Sequence, residues 1–528
     1  MKRYHVLIIV LSQVFYACTT PVTYDIILAG GTVFDGSGDK PYQADIGIIG
    51  DSIAFIGKID KKVAKRVIEA RGLAIAPGFI DMHTHIEPLM ELPKAESHVR
   101  QGVTLALGGP DGGGPWPFGD YLDSADTVGI GINVAWLVGH NMIRGKVMGY
   151  ENRPPGETEL QQMKEMVELA MKEGAFGIST GLKYIPGAFS NVEEVIALSK
   201  EASALGGIYT SHLREEGLGL LEAVQEAIMI SREAHIPVVL THHKAIGVKM
   251  WGASQKTLAM VDSARNLGLD IMIDQYPYAA SHTGISVLIP KWAQDGGVGK
   301  AFKQKCEDPI LRDSIKSGII FNILNDRGGR DLRRVQFSKV TWKPELEGKT
   351  LHDWALMEGL EPTVENGAEL VIKAQLLGGM SAIYHAMDER DVENIMKHPW
   401  TMIGSDGTLS NPGNGHPHPR AYGTFPRILG LYVREMKVLT LEQAIHKMTG
   451  LSAERLGLKD RGFLRTSYKA DIVIFNPETV IDKSTFENPH QYPEGIEYVI
   501  INGDFAVDRT HFTGEARGRV LRGPAYSN

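Results

Sequence analysis

The pattern of apolar and polar residues changes twice along the chain and divides it into three parts. From residue 24 to about 68, short apolar runs end at turn-forming pairs such as Gly30-Gly31 and Gly50-Asp51, which predicts a series of β-hairpins. The same pattern returns in the apolar runs at 471–475 and 496–501. Two β-rich ends around one large middle segment predict a small β-sandwich domain built from residues 22–70 and 462–528.

The middle segment, residues 71–461, alternates apolar runs with amphipathic helical stretches, a pattern typical of parallel sheets. Helices are predicted at 157–173, 192–205 and 218–234, with Ser190 or Asn191 capping the second. Eight strands with intervening helices predict an α/β fold, a (β/α)8 TIM barrel, and an open doubly wound sheet is the structural alternative. The predicted strands cover residues 73–82, 102–107, 132–138, 175–179, 208–211, 237–241, 269–274 and 401–405.

One connection in this barrel is unusually long. Residues from about 280 to 400 separate the seventh and eighth predicted strands, which is too many for a single loop. We therefore expect an insertion before the last barrel strand, with its own helices and strands, over the C-terminal face of the barrel.

Four predicted barrel strands end in side chains that bind metals or transfer protons, at the face where barrel enzymes have their active sites. His83 and His85 end strand one, and their i, i+2 spacing directs both imidazoles to one side. His212 ends strand five, His242 ends strand six and Asp406 ends strand eight. Such nitrogen and oxygen ligands suit zinc or a similar first-row metal. The sequence therefore predicts a site for one or two divalent ions, with Asp406 able to accept a proton.

Composition excludes some classes of partner. The 528 residues are 43% hydrophobic and 22% charged, as in an ordinary globular protein. A formal charge of −8 without a basic stripe argues against nucleic-acid binding. With two cysteines in all, Cys18 and Cys306, the chain has no disulfide framework. Oligomeric state does not follow from these features.

The first residues have the features of a targeting segment. Lys2 and Arg3 precede an apolar stretch at residues 6–17 that is of signal-peptide length and short for a membrane span. Residues 15–18 resemble the bacterial lipoprotein cleavage box, with Cys18 as the lipidated residue, although Phe15 stands where leucine is usual. We expect residues 1–21 to be a signal peptide and the protein to be exported, either periplasmic or lipid-anchored to the bacterial envelope. Cys18 would be its only link to a membrane, and secretion without a lipid is the alternative.

Several stretches together resemble a known family. The histidines of strands one, five and six and the aspartate of strand eight are the amidohydrolase superfamily pattern, and the chain from about Tyr24 onward is similar to the D-aminoacylase (N-acyl-D-amino-acid deacylase) family. The narrower resemblance rests on residues 177–184 (GISTGLKY), 211–215 (SHLRE), 241–244 (THHK), 274–278 (DQYPY), 404–407 (GSDG), 416–420 (HPHPR) and 485–489 (TFENP).

This resemblance implies a barrel of amidohydrolase type that uses zinc to hydrolyse small-molecule N-acyl-D-amino acids to a carboxylate and a free D-amino acid. It implies that His212 and His242 hold the stronger metal position, beside a second position lined by His83, His85 and Asp406. It also implies that the substrate carboxylate binds the side chains Tyr184, Lys244 and Arg420, with Tyr278 a weaker assignment.

The chain departs from the family at one metal ligand. Family members have a metal-binding cysteine after strand two, and Asp111 stands in its place within a glycine-rich loop. A carboxylate is a harder ligand than a thiolate and favours different metals. We expect Asp111 to be a metal ligand, and the alternative is that it is a turn residue.

Three other functions stay open at this stage. A cyclic-amide hydrolase of hydantoinase or dihydroorotase type would need a bridging lysine on strand four, for which Lys183 is the conceivable candidate. A hydrolase of dipeptides that contain a D-amino acid is a further alternative. A carbohydrate- or peptide-binding lipoprotein on a degenerate barrel would have lost the predicted ligands, which this chain retains.

Overall fold

The computed structural model describes residues 23–527, so the predicted signal peptide and Cys18 lie outside the described residues. The strands are β1 Tyr24–Val33, β2 Tyr42–Ile49, β3 Ser52–Gly57, β4 Ala64–Glu69, β5 Ala74–Pro77, β6 Phe79–Asp81, β7 Val103–Gly108, β8 Asn133–Trp136, β9 Val138–Gly139, β10 Gly177–Gly181, β11 Ile208–His212, β12 Val238–Leu240, β13 Ile271–Gln275, β14 Ser281–Gly284, β15 Val335–Lys339, β16 Ser381–Tyr384, β17 Thr401–Ile403, β18 Ile472–Phe475, β19 Ile496–Ile501, β20 Asp504–Asp508 and β21 His511–Phe512.

The α-helices cover the outside of the barrel and much of the insertion. They are α1 Glu96–Val99, α2 Phe118–Val128, α3 His140–Met148, α4 Glu157–Lys172, α5 Val192–Ala204, α6 Leu220–Ala234, α7 Ser254–Asn266, α8 Lys300–Glu307, α9 Pro309–Asn325, α10 Leu351–Met357, α11 Val364–Leu376, α12 Glu389–Lys397, α13 Arg420–Arg427, α14 Leu441–Met448 and α15 Gly450–Arg455. Within residues 23–527, every helix is too short or too polar to cross a bilayer.

The barrel is closed, which confirms the predicted (β/α)8 architecture. Strands pair in parallel in the orders β6-β7-β8 and β9-β10-β11-β12-β13-β17. Barrel strand three has two pieces, because β8 pairs with β7 whereas β9 pairs with β10. The ring closes between strands one and eight, where the backbone N–H of Met82 donates to the carbonyl of Ile403 at 3.2 Å.

The helices between the strands follow from their sequence periodicity. In α6, Leu220, Val224, Ala227 and Ser231 recur at three- and four-residue spacing and are all buried, so one face of the helix packs on the barrel. Helix α5 begins after Asn191, whose side chain accepts a hydrogen bond from the backbone of Glu194 as an N-cap. Helices α4, α5, α6 and α7 pack side by side around the sheet.

The first predicted barrel strand is divided between two sheets. Residues 74–77 form β5 in the small sheet, and residues 79–81 form β6 in the barrel. The break is at Gly78, where a Cβ atom would lie 2.1 Å from Oγ1 of Thr104 on β7. Only glycine allows the chain to pass this close to the neighbouring strand. The small sheet therefore extends to Pro77, beyond the predicted boundary at residue 70.

Both chain ends pair into one small domain, as predicted. Its nine strands form a continuous sheet in the order β21-β20-β19-β18-β5-β1-β2-β3, with β4 also paired to β1. Residues near the two ends of the strand order, such as Ile46 on β2 and Ile500 on β19, belong to one apolar cluster. The sheet therefore curls around a shared core. Along β18, Ile472 and Ile474 face that core, whereas Val473 and Phe475 join the larger core of the barrel.

The segment between β13 and β17 is an insertion with its own sheet. Strands β14, β16 and β15 pair antiparallel in that order, with helices α8 and α9 between β14 and β15 in the sequence and α10 and α11 between β15 and β16. Strand β14 brings Ser281 and His282 to the barrel mouth, where both line a cavity. The insertion therefore forms part of the wall of the site described next.

Candidate metal centre

All six predicted metal-site residues meet at the C-terminal face of the barrel. His212 is the last residue of β11, and the other five lie in the loops after β6, β7, β12 and β17. They form two groups. Within each group, the possible ligand atoms all lie within 4.8 Å of one another. One group is His83, His85, Asp111 and Asp406, and the other is Asp111, His212 and His242.

Asp111 belongs to both groups and lies between the four histidines. Its Oδ1 is 3.5 Å from His83 Nε2 and 3.3 Å from His242 Nε2. Its Oδ2 is 3.7 Å from His85 Nε2 and 3.6 Å from His212 Nδ1. Each oxygen thus faces one histidine of each group, so the Asp111 carboxylate is within reach of both candidate metal positions.

The backbone is strained at three of these residues. Asp111, His242 and Asp406 have φ angles of 55°, 38° and 50°, in the left-handed region that favours glycine. The next residue, Gly112, also has a positive φ, and a Cβ there would lie 2.1 Å from Oδ1 of Asn141. Such strain, about 1–2 kcal/mol per residue, persists where the surroundings hold a side chain in a required position.

The buried polar atoms fit a divalent cation. Among the described residues, Nε2 of His83 and Oδ1 of Asp111 are buried without a hydrogen-bond partner. Nδ1 of His212 and Nε2 of His242 face each other at 2.8 Å. Buried ligand atoms rarely remain unpaired in proteins, and two imidazoles with a carboxylate are an ordinary first-row metal donor set.

The electrostatics of the pocket also favour positive charge at this position. Burial and Lys244 both lower the pKa of His242, but the carboxylates of Asp111 and Glu216 outweigh them and raise it to about 9. Burial raises the pKa of Asp111, yet His83 and His242 hold it well below its ordinary value. Metal ligation requires a neutral histidine. A divalent ion at this position would therefore take the place of the extra proton of His242, beside the carboxylates of Asp111 and Glu216.

Two buried aspartates fix the loops that carry the ligands. Asp81 Oδ1 accepts from the backbone N–H of Ser405 at 2.7 Å and of His83 at 3.3 Å. Asp274 Oδ1 accepts from the backbone N–H of His242 at 2.6 Å. Burial raises the pKa of each aspartate to about 7. These bonds tie the loops after β6, β12 and β17 to the ends of the barrel strands.

Asp406 is placed to exchange protons at the edge of the metal groups. Its Oδ1 lies 3.3 Å from His85 Nε2, and its Oδ2 lies 2.9 Å from Nη1 of Arg420. Burial raises the pKa of Asp406, but the guanidinium of Arg420 and the nearby histidines lower it further, so the net shift is downward. Asp406 is therefore an ionised carboxylate, as a proton acceptor must be.

The predicted substrate-binding residues do not all reach the same cavity. A cavity of about 550 Å³ opens over the metal groups, and its wall includes Tyr184 and Lys244. Arg420 is 1% exposed and pairs with Asp406, and it lines an adjoining cavity of about 470 Å³ instead. Tyr278 donates to Asp482 at 3.5 Å, away from both cavities. The structure therefore places Arg420 and Tyr278 differently from the prediction.

Two lysines near the site are already paired. Lys244 donates to Glu216 at 2.5 Å, so its charge is partly offset before any substrate binds. Lys183 pairs with Glu215 at 2.7 Å and Asp326 at 3.3 Å, two carboxylates that lie outside both ligand groups. The structure thus does not place Lys183 as a bridge between metal positions.

The cavity wall also contains residues that were not predicted from the sequence, among them Glu216, His282 and Arg327. Arg327 is 1% exposed, its Nη1 donates to Ser281 Oγ at 3.2 Å, and its Nε has no hydrogen-bond partner among the described residues. His282 and Arg327 come from the insertion, so no strand-end pattern indicates them. Glu216 lies four residues after His212, and that spacing was the available signal.

Comparisons with known proteins show which family the chain resembles. Residues 331–507 match the family model described as Amidohydrolase family. The chain is 36% identical to a D-aminoacylase of Alcaligenes xylosoxydans xylosoxydans, over 94% of this chain and 97% of that protein.

Solved structures extend the similarity to the whole fold. A D-aminoacylase studied for its binuclear metal centre aligns with a TM-score of 0.80 at 35% identity, over 94% of this chain and 100% of that one. The N-acyl-D-glutamate deacylase of Bordetella bronchiseptica, solved with zinc and a phosphonate mimic of the tetrahedral intermediate, aligns with a TM-score of 0.81 at 33% identity. That alignment covers 95% of this chain and 100% of the other.

Proposed function

The chain belongs to the D-aminoacylase family of amidohydrolases, and on that premise we propose that it is a metal-dependent hydrolase of N-acyl-D-amino acids. It cleaves the amide bond to release a carboxylate and a free D-amino acid. The observation that carries this proposal is the pair of ligand groups joined by Asp111 at the mouth of a closed barrel. Asp406 belongs to one of these groups and also lines the cavity above them.

Six residues would hold the metal. Asp111, His212 and His242 would bind one zinc or similar ion, and Asp111 would also join His83, His85 and Asp406 at the adjoining position. A divalent ion supplies two effects there, since it lowers the pKa of a bound water and polarises a carbonyl group. The hard carboxylate of Asp111 in place of a thiolate favours harder first-row ions beside zinc.

Asp406 carries the proton through the reaction. The attacking water forms a C–O bond to the amide carbon and gives one proton to Asp406, which acts as general base. Asp406 then returns the proton to the amide nitrogen as the C–N bond breaks, which gives a carboxylic acid and an amine; the acid's proton passes to the amine, so the products at neutral pH are a carboxylate and an ammonium group. The ion pair of Asp406 with Arg420 through Oδ2 leaves Oδ1 turned toward His85.

Binding the α-carboxylate of the substrate requires a cation in the cavity wall. Arg327 is the best placed, because its buried guanidinium lines this cavity and its Nε has no hydrogen-bond partner among the described residues, the nearest carboxylate oxygen being Asp326 Oδ2 at 3.6 Å. Lys244 and the hydroxyl of Tyr184 face the same cavity. We infer that these three share the carboxylate, with Lys244 weakened by its bond to Glu216.

A substrate panel tests this function. The zinc-loaded full chain is assayed with N-acetyl-D-amino acids, their L enantiomers, hydantoin and dihydroorotate. We expect turnover of N-acetyl-D-amino acids and at least about 100-fold slower turnover of the L forms, a difference of about 2.7 kcal/mol in activation free energy. Turnover of a cyclic amide without turnover of any N-acyl-D-amino acid would replace the proposal by the cyclic-amide hydrolase.

We also propose that the protein is exported and that Cys18 carries a lipid. The support is the positive head at Lys2 and Arg3, the apolar stretch at residues 6–17 and the cysteine that follows it. Palmitate labelling of cells that express the full chain, beside Cys18→Ser, tests this. Label in the parent chain and none in the variant is expected, and an unlabelled parent chain rules the lipid out.

A further inference from the structure

Asp111, the residue common to both ligand groups, lies on a tight turn in the loop after β7. The backbone N–H of Gly113 donates to the carbonyl of Pro110 at 2.9 Å, so Asp111 and Gly112 are the two central residues of the turn. Their φ angles are 55° and 75°. Positive φ at both central residues is typical of a type I′ turn, in which Asp-Gly is a favoured pair. This turn sets the direction in which the Asp111 side chain leaves the backbone.

A buried hydroxyl group bonds to the backbone on both sides of Asp111. Ser179 is the third residue of β10 and is 0% exposed. Its Oγ donates to the carbonyl of Gly109 at 2.6 Å and accepts from the backbone N–H of Gly112 at 3.1 Å. One hydroxyl can donate one bond while it accepts another. The side chain of Ser179 therefore connects the start of the turn to its second central residue.

The turn has few other bonds that could hold it. Within residues 23–527, no side chain except Ser179 forms a hydrogen bond with the backbone of residues 109–113. The backbone N–H of Met142 donates to the carbonyl of Gly112 at 3.0 Å, beyond the Asp111 peptide. Oδ1 of Asp111 is buried without a hydrogen-bond partner among the same residues. The placement of this carboxylate thus depends on the turn, and the turn depends on Ser179.

We propose that Ser179 is a positioning residue for metal binding, an inference that rests on the metal dependence of the proposed function. Aspartate adopts the left-handed conformation far less readily than glycine, so contacts must hold Asp111 there. The hydroxyl of Ser179 supplies these contacts and keeps the carboxylate between the histidines of the two groups. Because Asp111 belongs to both groups, Ser179 acts on both metal positions.

A zinc titration of the metal-free full chain tests this role. Ser179→Ala removes the hydroxyl without adding bulk, so the carbonyl of Gly109 and the N–H of Gly112 lose this partner. Zinc affinity is measured by competition with a chromophoric chelator. Replacing a group that orients a metal ligand typically lowers metal affinity by about 10–100-fold, and we expect a fall of that size at each zinc-binding step.

Ser231 provides the matched control. It is 2% exposed, and its Oγ donates to the carbonyl of Ile236 at 3.0 Å, two residues before β12 begins. That position is at the opposite end of the barrel from the metal groups. Ser231→Ala therefore also removes a buried, bonded hydroxyl, but it should bind zinc within about twofold of the parent chain, because a hydroxyl remote from the ligands does not orient them. The free energy of unfolding is measured for both variants, which separates a loss of zinc affinity from a general loss of stability.

Hydrogen exchange of the metal-free chain gives a second readout that does not depend on zinc. The amide of Gly112 donates to Ser179 Oγ, so in the parent chain it should exchange at least about tenfold more slowly than in the denatured chain. In Ser179→Ala this protection should be lost. Mass spectrometry at single-amide resolution measures the rates, and the measurement on the parent chain decides the proposal even if the variant does not fold.

Three outcomes would overturn the role of Ser179. They are unchanged affinity of either zinc-binding step in Ser179→Ala, an equal loss in Ser231→Ala, and a Gly112 amide that exchanges in the parent chain as fast as in the denatured chain. None of these measurements uses a substrate. A chain that gives the expected zinc and exchange results but fails to hydrolyse N-acyl-D-amino acids would contradict the proposed function and leave this inference standing.

Discussion

Replacing Asp406 by asparagine should remove proton transfer while leaving the shape of the site intact. The amide has the volume of the carboxylate and still offers an oxygen to Arg420, which lies 2.9 Å from Oδ2. It cannot accept a proton from the attacking water. General base catalysis contributes about 10²–10⁴ in rate, which corresponds to about 2.7–5.4 kcal/mol of activation free energy. We therefore expect kcat to fall by that factor, with KM within about threefold.

The assay must separate chemistry from folding and metal loss. Arg420 is 1% exposed, so the variant leaves a buried guanidinium without its counter-charge, and the free energy of unfolding should fall. Rates are therefore normalised to folded protein, and zinc content is measured in the same sample because Asp406 is in one ligand group. Asp388→Asn is the control, since Asp388 is an N-cap and asparagine caps equally well. A kcat within threefold of the parent value, at equal zinc content, would refute the role of Asp406.

Two further substitutions test the metal bridge and the carboxylate receptor. Asp111→Ala should lose at least one bound ion and reduce hydrolysis at least 100-fold, because the two oxygens of Asp111 face histidines of both ligand groups. Metal analysis of the purified variant measures the loss. Unchanged metal content would remove Asp111 from the ligand set. Arg327→Gln should raise KM by about 10–100-fold with kcat nearly unchanged, since a charge-assisted hydrogen bond contributes about 1.5–3 kcal/mol. Steady-state kinetics with an N-acetyl-D-amino acid measures both constants. An unchanged KM would exclude Arg327 as the receptor of the substrate carboxylate.

The barrel and its candidate metal ligands were predictable because they follow from a repeated local pattern. Buried parallel strands are apolar runs, and their C-terminal ends meet at one face of the barrel. His83, His212, His242 and Asp406 each follow such a run, so their proximity needed no knowledge of long-range contacts. The resemblance to a family then placed Asp111 in the set, where the structure also brings it.

Features that depend on contacts between residues distant in the sequence could not be predicted from such local patterns. The break at Gly78 arises from the approach of Thr104, which is distant in sequence. Arg327 enters the cavity from the insertion, whose fold no periodicity indicates. Arg420 matched a family motif, yet its pairing with Asp406 depends on the packing of the loop after β17. Glu216 lies in the loop after β11, four residues beyond the strand end at His212, so the strand-end pattern does not include it.

A zinc titration of the metal-free full chain tests the central claim most directly. Bound zinc and the initial rate of N-acetyl-D-amino acid hydrolysis are measured on the same samples, beside His212→Ala as a chain that lacks one ligand of the Asp111–His212–His242 group. The metal-free chain should be inactive, its rate should rise in proportion to the first equivalent of zinc, and the variant should stay inactive at that stoichiometry. Full activity in the metal-free chain, or normal activation of His212→Ala, would contradict the account.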